Sequence, residues 1–257
     1  LIYHLLYPLH TTISFFNVFR YITFRAIFAS ITALLISLIF GKWMIQKLQD
    51  MQIGQQIRDD GPQSHMVKKG TPTMGGILII FAVVISTLLW TNLADIYVWL
   101  VLLVTVGFGL IGFVDDYKKL AGKNSKGISG KKRLMGEIMI ALFIGIILYI
   151  KPGFNSQITI PFLKTVLPDL GWGYVLLSTF IIVGAANAVN LTDGLDGLAI
   201  GPVVICFATY ILFAYFAGNV KTSSYLQIVH VSGAGELAVF CGAIVGAGLG
   251  FLWFNAY

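Results

Sequence analysis

Apolar residues run along the chain in long unbroken stretches, and polar positions fall almost wholly between them. A hydrocarbon core about 30 Å thick takes about 20 mostly apolar helical residues to cross. Seven stretches fit: Thr23–Trp43, Gly75–Thr91, Tyr97–Val114, Leu134–Ile150, Trp172–Ala188, Leu198–Ala217 and Glu236–Phe254. The pattern predicts seven membrane-spanning helices. Between them lie polar loops at Ile45–Met74 and Asp115–Arg133, a polar-aromatic loop at Lys151–Gly171, an ordinary loop at Gly218–Gly235 and a short turn at Asn190–Gly197. Leu1–Arg20 is aromatic and apolar, with neither a basic leader nor a small-residue cleavage site. It reads as a short interfacial or loosely packed segment, not a cleavable signal.

Composition agrees. Of 257 residues, 57% are hydrophobic and 11% charged, with a mean hydropathy of +0.86. A soluble domain is about 25% charged, so soluble, disordered, coiled-coil and disulfide-scaffold readings all fall. The expected fold is all-α, a polytopic transmembrane bundle in which residues 1–257 form one integral membrane domain. Cys206 and Cys241 sit in apolar runs, where they act as small hydrophobes rather than a bridge or zinc site.

The net charge of +6 does not point to nucleic acid, because the basic residues cluster in two loops. Twelve of the 17 fall on the side that holds residues 45–74 and 115–133, and the positive-inside rule makes that side cytoplasmic. Arg20, Arg25, Lys151, Lys164 and Lys221 are left outside with the N-terminus, while the 190–197 turn and Asn255 lie inside. Gly242, Gly246 and Gly250 recur every fourth residue, Gly107 and Gly112 less regularly. Such a stripe predicts close helix packing, within one chain or in a homodimer.

Three polar clusters share the cytoplasmic side. Asp115 and Asp116 end the third apolar run, where the helix dipole disfavours acids by up to ~1 kcal/mol each. The plain reading pairs them with Lys118 and Lys119; the sharper one is a divalent-cation site beside a phosphate, since hard cations take carboxylate oxygens. Neighbouring helical residues point about 100° apart, so one metal ligand and one second role is the economical assignment. Asp193 and Asp196 occupy a glycine-containing turn with no basic residue, and that turn lacks the glutamate a calcium loop needs. Lys68, Lys69, Thr71, Thr73 and the Gly75 and Gly76 amides gather at a helix N-terminus, a natural anion site. Together the clusters suit Mg²⁺ and a phosphorylated ligand. An Asp at mid-bilayer costs about 2.5–3.5 kcal/mol, which keeps these acids at helix ends and argues against an ion path.

These residues resemble the polyprenyl-phosphate N-acetylhexosamine-1-phosphate transferases, closest to the phospho-N-acetylmuramoyl-pentapeptide-transferase family. Gly70-Thr-Pro-Thr-Met-Gly-Gly76 and Asn187-Ala-Val-Asn-Leu-Thr-Asp-Gly-Leu-Asp-Gly-Leu-Ala199 carry the specific likeness, Asp115-Asp116-Tyr117 the broader one. The likeness extends to Gly246-Ala-Gly-Leu-Gly-Phe-Leu-Trp-Phe-Asn255. It implies an enzyme of the bacterial inner membrane that moves phospho-MurNAc-pentapeptide from UDP-MurNAc-pentapeptide onto undecaprenyl phosphate. The products would be lipid I for peptidoglycan synthesis and UMP, and the reaction would need Mg²⁺. Asp115 and Asp116 would be the catalytic, metal-binding carboxylates. Lys68, Thr73, Asn190, Asp193, Asp196 and Asn255 would line the uridine and pyrophosphate pocket, with Asn187 nearby.

The family pattern also has about ten membrane helices, a Met-Gly-Asp turn whose aspartate is a main Mg²⁺ ligand, and a histidine-rich loop. None of these occurs in the 257 residues. The expectation is the N-terminal portion of a longer enzyme, active when intact and inactive as these residues alone. The rivals are a UDP-GlcNAc-using sibling, a transporter, and a non-catalytic remnant. A covalent route through Asp116 stays open.

Overall fold

The computed structural model describes residues 1–50, 75–122, 127–160, 166–192 and 198–255. A short α1 (Ile2–Leu6) and two 3-10 turns (Tyr7–Thr11, Ser14–Arg20) lead into α2 (Ile22–Asp50). There follow α3 (Gly76–Trp90), α4 (Ile96–Ala121), α5 (Gly130–Ile150), α6 (Gly173–Thr192), α7 (Ile200–Gly218), α8 (Val220–Leu226) and α9 (Gly235–Asn255). Six of them (α2, α4, α5, α6, α7 and α9) are long and apolar enough to cross a membrane. The seventh expected span, α3, has 15 described residues, about 22 Å of helix. The chain is thus an all-α, multi-pass membrane protein. It divides into two compact units, Leu1–Gly127 with Gly194–Tyr257, and Ile128–Asp193.

In the first unit α9 is the axis. More than half of its apolar window (56%) is buried, against at most 28% in the other spans. The glycine stripe explains why. A Cβ at Gly242 would lie 2.6 Å from the Ala26 carbonyl oxygen, one at Gly246 1.9 Å from that of Ser30, and one at Gly250 2.5 Å from Ser37 Cβ. The α2 backbone at 242 and 246, and the Ser37 side chain at 250, occupy the space those side chains would need. Ala29, Ala33, Ala243 and Ala247 complete a fully buried small-residue seam. The stripe is therefore used within the chain, on α2. Gly112, by contrast, faces open space, and Gly109 of α4 meets Ile80 of α3.

Beyond the glycines the seam is closed by charge. Arg25, in the first turn of α2, donates from both terminal nitrogens to Glu236 of α9, each at 2.6 Å. Arg25 Nη1 also reaches the Trp90 carbonyl at 3.2 Å, and the Asn92 amide donates to Glu236 Oε2 at 2.8 Å. The guanidinium lies 4.5 Å from the centre of the Tyr3 ring. Both charged residues are buried, and bidentate geometry with extra hydrogen bonds is what lets such a pair offset its desolvation. The leading segment is folded onto this end: Phe19 is buried, and Tyr3, Tyr7 and Phe16 pack on the core. It is packed, not loose.

In the second unit α5 and α6 form an antiparallel hairpin. A Cβ at Gly145 would stand 3.2 Å from Val175 Cγ1, so the helices approach closely there. The loop between them is pinned by a bridge between Gln157 and Asp169. The Ser156 hydroxyl and the Gly171 amide both donate to Asp169 Oδ1, which holds that carboxyl below the usual carboxylate range.

The helices outrun the expected polar boundaries. α2 continues to Asp50, α4 to Ala121 and α6 to Thr192, while α5 begins at Gly130. The 115–133 loop shrinks accordingly, and Asp115 and Asp116 lie inside α4 rather than at its end. Hydropathy marks where a helix leaves the apolar layer, whereas backbone hydrogen bonding and a basic last turn carry it further into the polar zone.

Gly246→Ala should destabilise by about 1–3 kcal/mol, because the Ser30 backbone cannot swing aside. A lowered thermal midpoint in detergent would show it, with Gly184→Ala, which meets nothing within 4 Å, as the neutral control. Glu236→Ala should cost about 3–5 kcal/mol by stranding the Arg25 charge.

Candidate active site

The last two turns of α4 bring Asp115, Asp116 and Lys119 together. Lys119 lies one turn past both acids, so its side chain reaches back to them. Its Nζ is 2.6 Å from Asp115 Oδ2 and 3.3 Å from Asp116 Oδ1. The two acids differ in setting: the Asp115 side chain is 16% exposed, that of Asp116 37%. Lys119 thus bridges the two carboxylates. At such exposure the Asp116 pair is worth only about 0–1 kcal/mol, so Lys119 can trade that carboxylate for an incoming anion.

Gly127 sits against Asp115. A Cβ there would lie 2.1 Å from Asp115 Oδ1 and 2.7 Å from its Cγ. The absence of a side chain at 127 is what leaves Asp115 its rotamer. On the far face of α4, Tyr117 stacks along Phe113, with ring centres 6.3 Å apart and 13° between planes.

In the α5–α6 unit the polar residues form a second arrangement. Glu137 is 3% exposed at its side chain and accepts from Arg133 Nε at 2.9 Å. Asn187 Nδ2 donates to its other oxygen at 2.5 Å and to the Val183 carbonyl at 2.9 Å. Asn190 follows on α6, exposed.

A sequence model of glycosyl transferase family 4 matches residues 98–257, and a phospho-N-acetylmuramoyl-pentapeptide-transferase signature matches residues 68–80. The chain is 70% identical, over all its 257 residues, to the phospho-N-acetylmuramoyl-pentapeptide-transferase of Syntrophus aciditrophicus. The chain belongs to that transferase family. It covers 72% of that relative. The like-named proteins of Pelobacter propionicus and a Geobacter species are 57% and 56% identical, again over the whole chain and 72% of theirs.

Of the residues expected at the site, Asp115 and Asp116 stand together on Lys119, and Asn187 is tied to Glu137. Lys68, Thr73, Asp193 and Asp196 lie outside the described residues, as does the Asn255 side chain. The plain pairing of the acids is seen with Lys119, and it accompanies rather than displaces the metal reading. Among the described residues no group of three or more His, Cys, Asp or Glu gathers for a metal. Mg²⁺ usually takes one or two carboxylates, with waters and substrate phosphates completing its shell. The oxygens of Asp115 and Asp116 fit that share.

Hydropathy and motif spacing missed Glu137, Glu236 and Gly127. The signal for the two glutamates was present: a lone acid inside an apolar span is functional or structural by default, because nothing else retains it there. Gly127 carried no signal, since only the loop's return onto α4 makes it matter.

Gly127→Ala should lower turnover about 10²-fold by displacing Asp115, the scale of a 1 Å misplacement. Steady-state UMP release, with the KM for the UDP substrate little changed, would be the check.

Proposed function

We propose that this chain carries out the chemistry of its family: transfer of phospho-MurNAc-pentapeptide from UDP-MurNAc-pentapeptide to undecaprenyl phosphate, giving lipid I and UMP. The observation that carries it is the acid pair on Lys119 in a chain that bears the family signature at residues 68–80. That signature favours the MurNAc substrate over UDP-GlcNAc. We place the protein in the bacterial inner membrane, its site on the cytoplasmic side where most basic residues fall.

The chemistry follows from charge. The attacking phosphate monoester has a second pKa near ~6, so at neutral pH it is already mostly dianionic. A general base then gains little, and the dominant need is to hold two anions together. Lys68 and Lys119 are the cations for this, and Lys119 is already poised to exchange a carboxylate for a phosphate oxygen. Asp115 and Asp116 would hold Mg²⁺, which when bound neutralises phosphate charge and orients the diphosphate. Asp115, the less exposed of the two and set between Lys119 and Gly127, would keep its orientation, while the more exposed Asp116 would face the ligand. Thr73, Asn190, Asp193, Asp196 and Asn255 would bind the uridine and pyrophosphate.

The test uses this chain and, in parallel, this chain joined to the part of the Syntrophus relative outside the match. With UDP-MurNAc-pentapeptide and undecaprenyl phosphate, UMP release should appear in the joined chain and should vanish on chelation of Mg²⁺. Asp115→Asn and Asp116→Asn should each cut turnover about 10²-fold or more while nucleotide affinity holds. Release from UDP-GlcNAc instead would assign the sibling reaction, and wild-type turnover in either variant would remove that acid from the chemistry.

A further inference from the structure

We infer that Glu137 is a positioning residue for the nucleotide-binding end of α6, acting through Asn187. The inference rests on the transferase reading above, which places Asn190 in the nucleotide pocket.

Glu137 would be satisfied in charge by Arg133 alone, one turn away on the same helix. Arg133 takes only Oε1, at 2.9 Å. Oε2 is given to Asn187 on the other helix, at 2.5 Å. Asn187 spends its amide nitrogen on that carboxylate and on the Val183 carbonyl of its own helix, at 2.9 Å. Its side chain is therefore held from both sides. The acid is buried to 2% exposure, and a charge-assisted hydrogen bond in such surroundings is short, directional and hard to replace.

The rest of the α5–α6 contact lacks that directionality. Val175, Thr179 and Val183 form the buried stripe of α6, and Gly145 admits close approach at the far end. Apolar contacts of this kind set the distance between helices but resist rotation and sliding weakly. The Glu137–Asn187 bond sets the rotation. Asn190 lies three residues further on, about 60° round the same face, and it is the exposed residue that this rotation aims. The sequence then runs through Thr192 into Asp193 and Asp196.

Two readouts separate this role from simple stability. In the active enzyme, Glu137→Ala should raise the KM for UDP-MurNAc-pentapeptide about tenfold and leave the KM for undecaprenyl phosphate unchanged. A spin label on Thr192→Cys, with Cys206 and Cys241 replaced by alanine, should become more mobile in the same variant. The conservative variant Glu137→Gln keeps an acceptor oxygen for the Asn187 amide and should shift both values much less than Glu137→Ala. If the label loosens while the nucleotide KM stays put, or if both KM values rise together, the tether is only structural and the inference is overturned. No change in either readout overturns it as well. Absence of UMP release in the unsubstituted enzyme would overturn the transferase reading and this role with it, whereas normal release with an unchanged KM in Glu137→Ala removes the role alone.

Discussion

The first unit depends on two helix backbones being allowed to touch. Within a membrane there is no hydrophobic drive between helices, because lipid tails are as apolar as leucine, so association rests on van der Waals contact and polar bonds. Gly242, Gly246 and Gly250 remove the side chains that would hold α9 away from the carbonyls of Ala26 and Ser30 and from Ser37. Contact of that kind is stabilising only in one register. The Arg25–Glu236 pair supplies the register, since its bidentate geometry fails if either helix slides by a residue. Small residues set the distance and the buried ion pair sets the alignment.

The same division of labour recurs in the second unit, with different residues. Gly145 and the Val175–Val183 stripe bring α5 and α6 close, and Glu137 with Asn187 fixes their rotation. In both units the acid lies within an apolar helix and is bound across to a neighbour, which is what makes an expensive buried charge a device for specificity rather than a liability.

The acid pair of α4 follows the opposite logic. Lys119 bridges Asp115 and Asp116, and both Asp116 and the lysine remain partly exposed. Weak pairing suits a site whose partners must change during a reaction, where a buried and fully satisfied network would not release its cation. Gly127 keeps one of the two acids in place without adding a bond that a ligand would have to break.

Much of this was legible in the residues alone. Apolar runs of about 20 residues admit only a spanning helix, since no other backbone satisfies its own hydrogen bonds in lipid, and the signature residues together with Asp115, Asp116 and Asn187 named the family and its candidate chemistry. The helix ends were misplaced by several residues because hydropathy follows the membrane boundary and not the hydrogen-bond ladder, as α4 running past Asp116 to Ala121 shows. Partner choice could not be read. All the spans are similarly apolar, so nothing local says that α9 is the axis, that its glycines face α2, or that Glu137 finds Asn187 fifty residues away. Those pairings are decided by shape and by geometric satisfaction of buried charge, quantities that exist only once the helices have met.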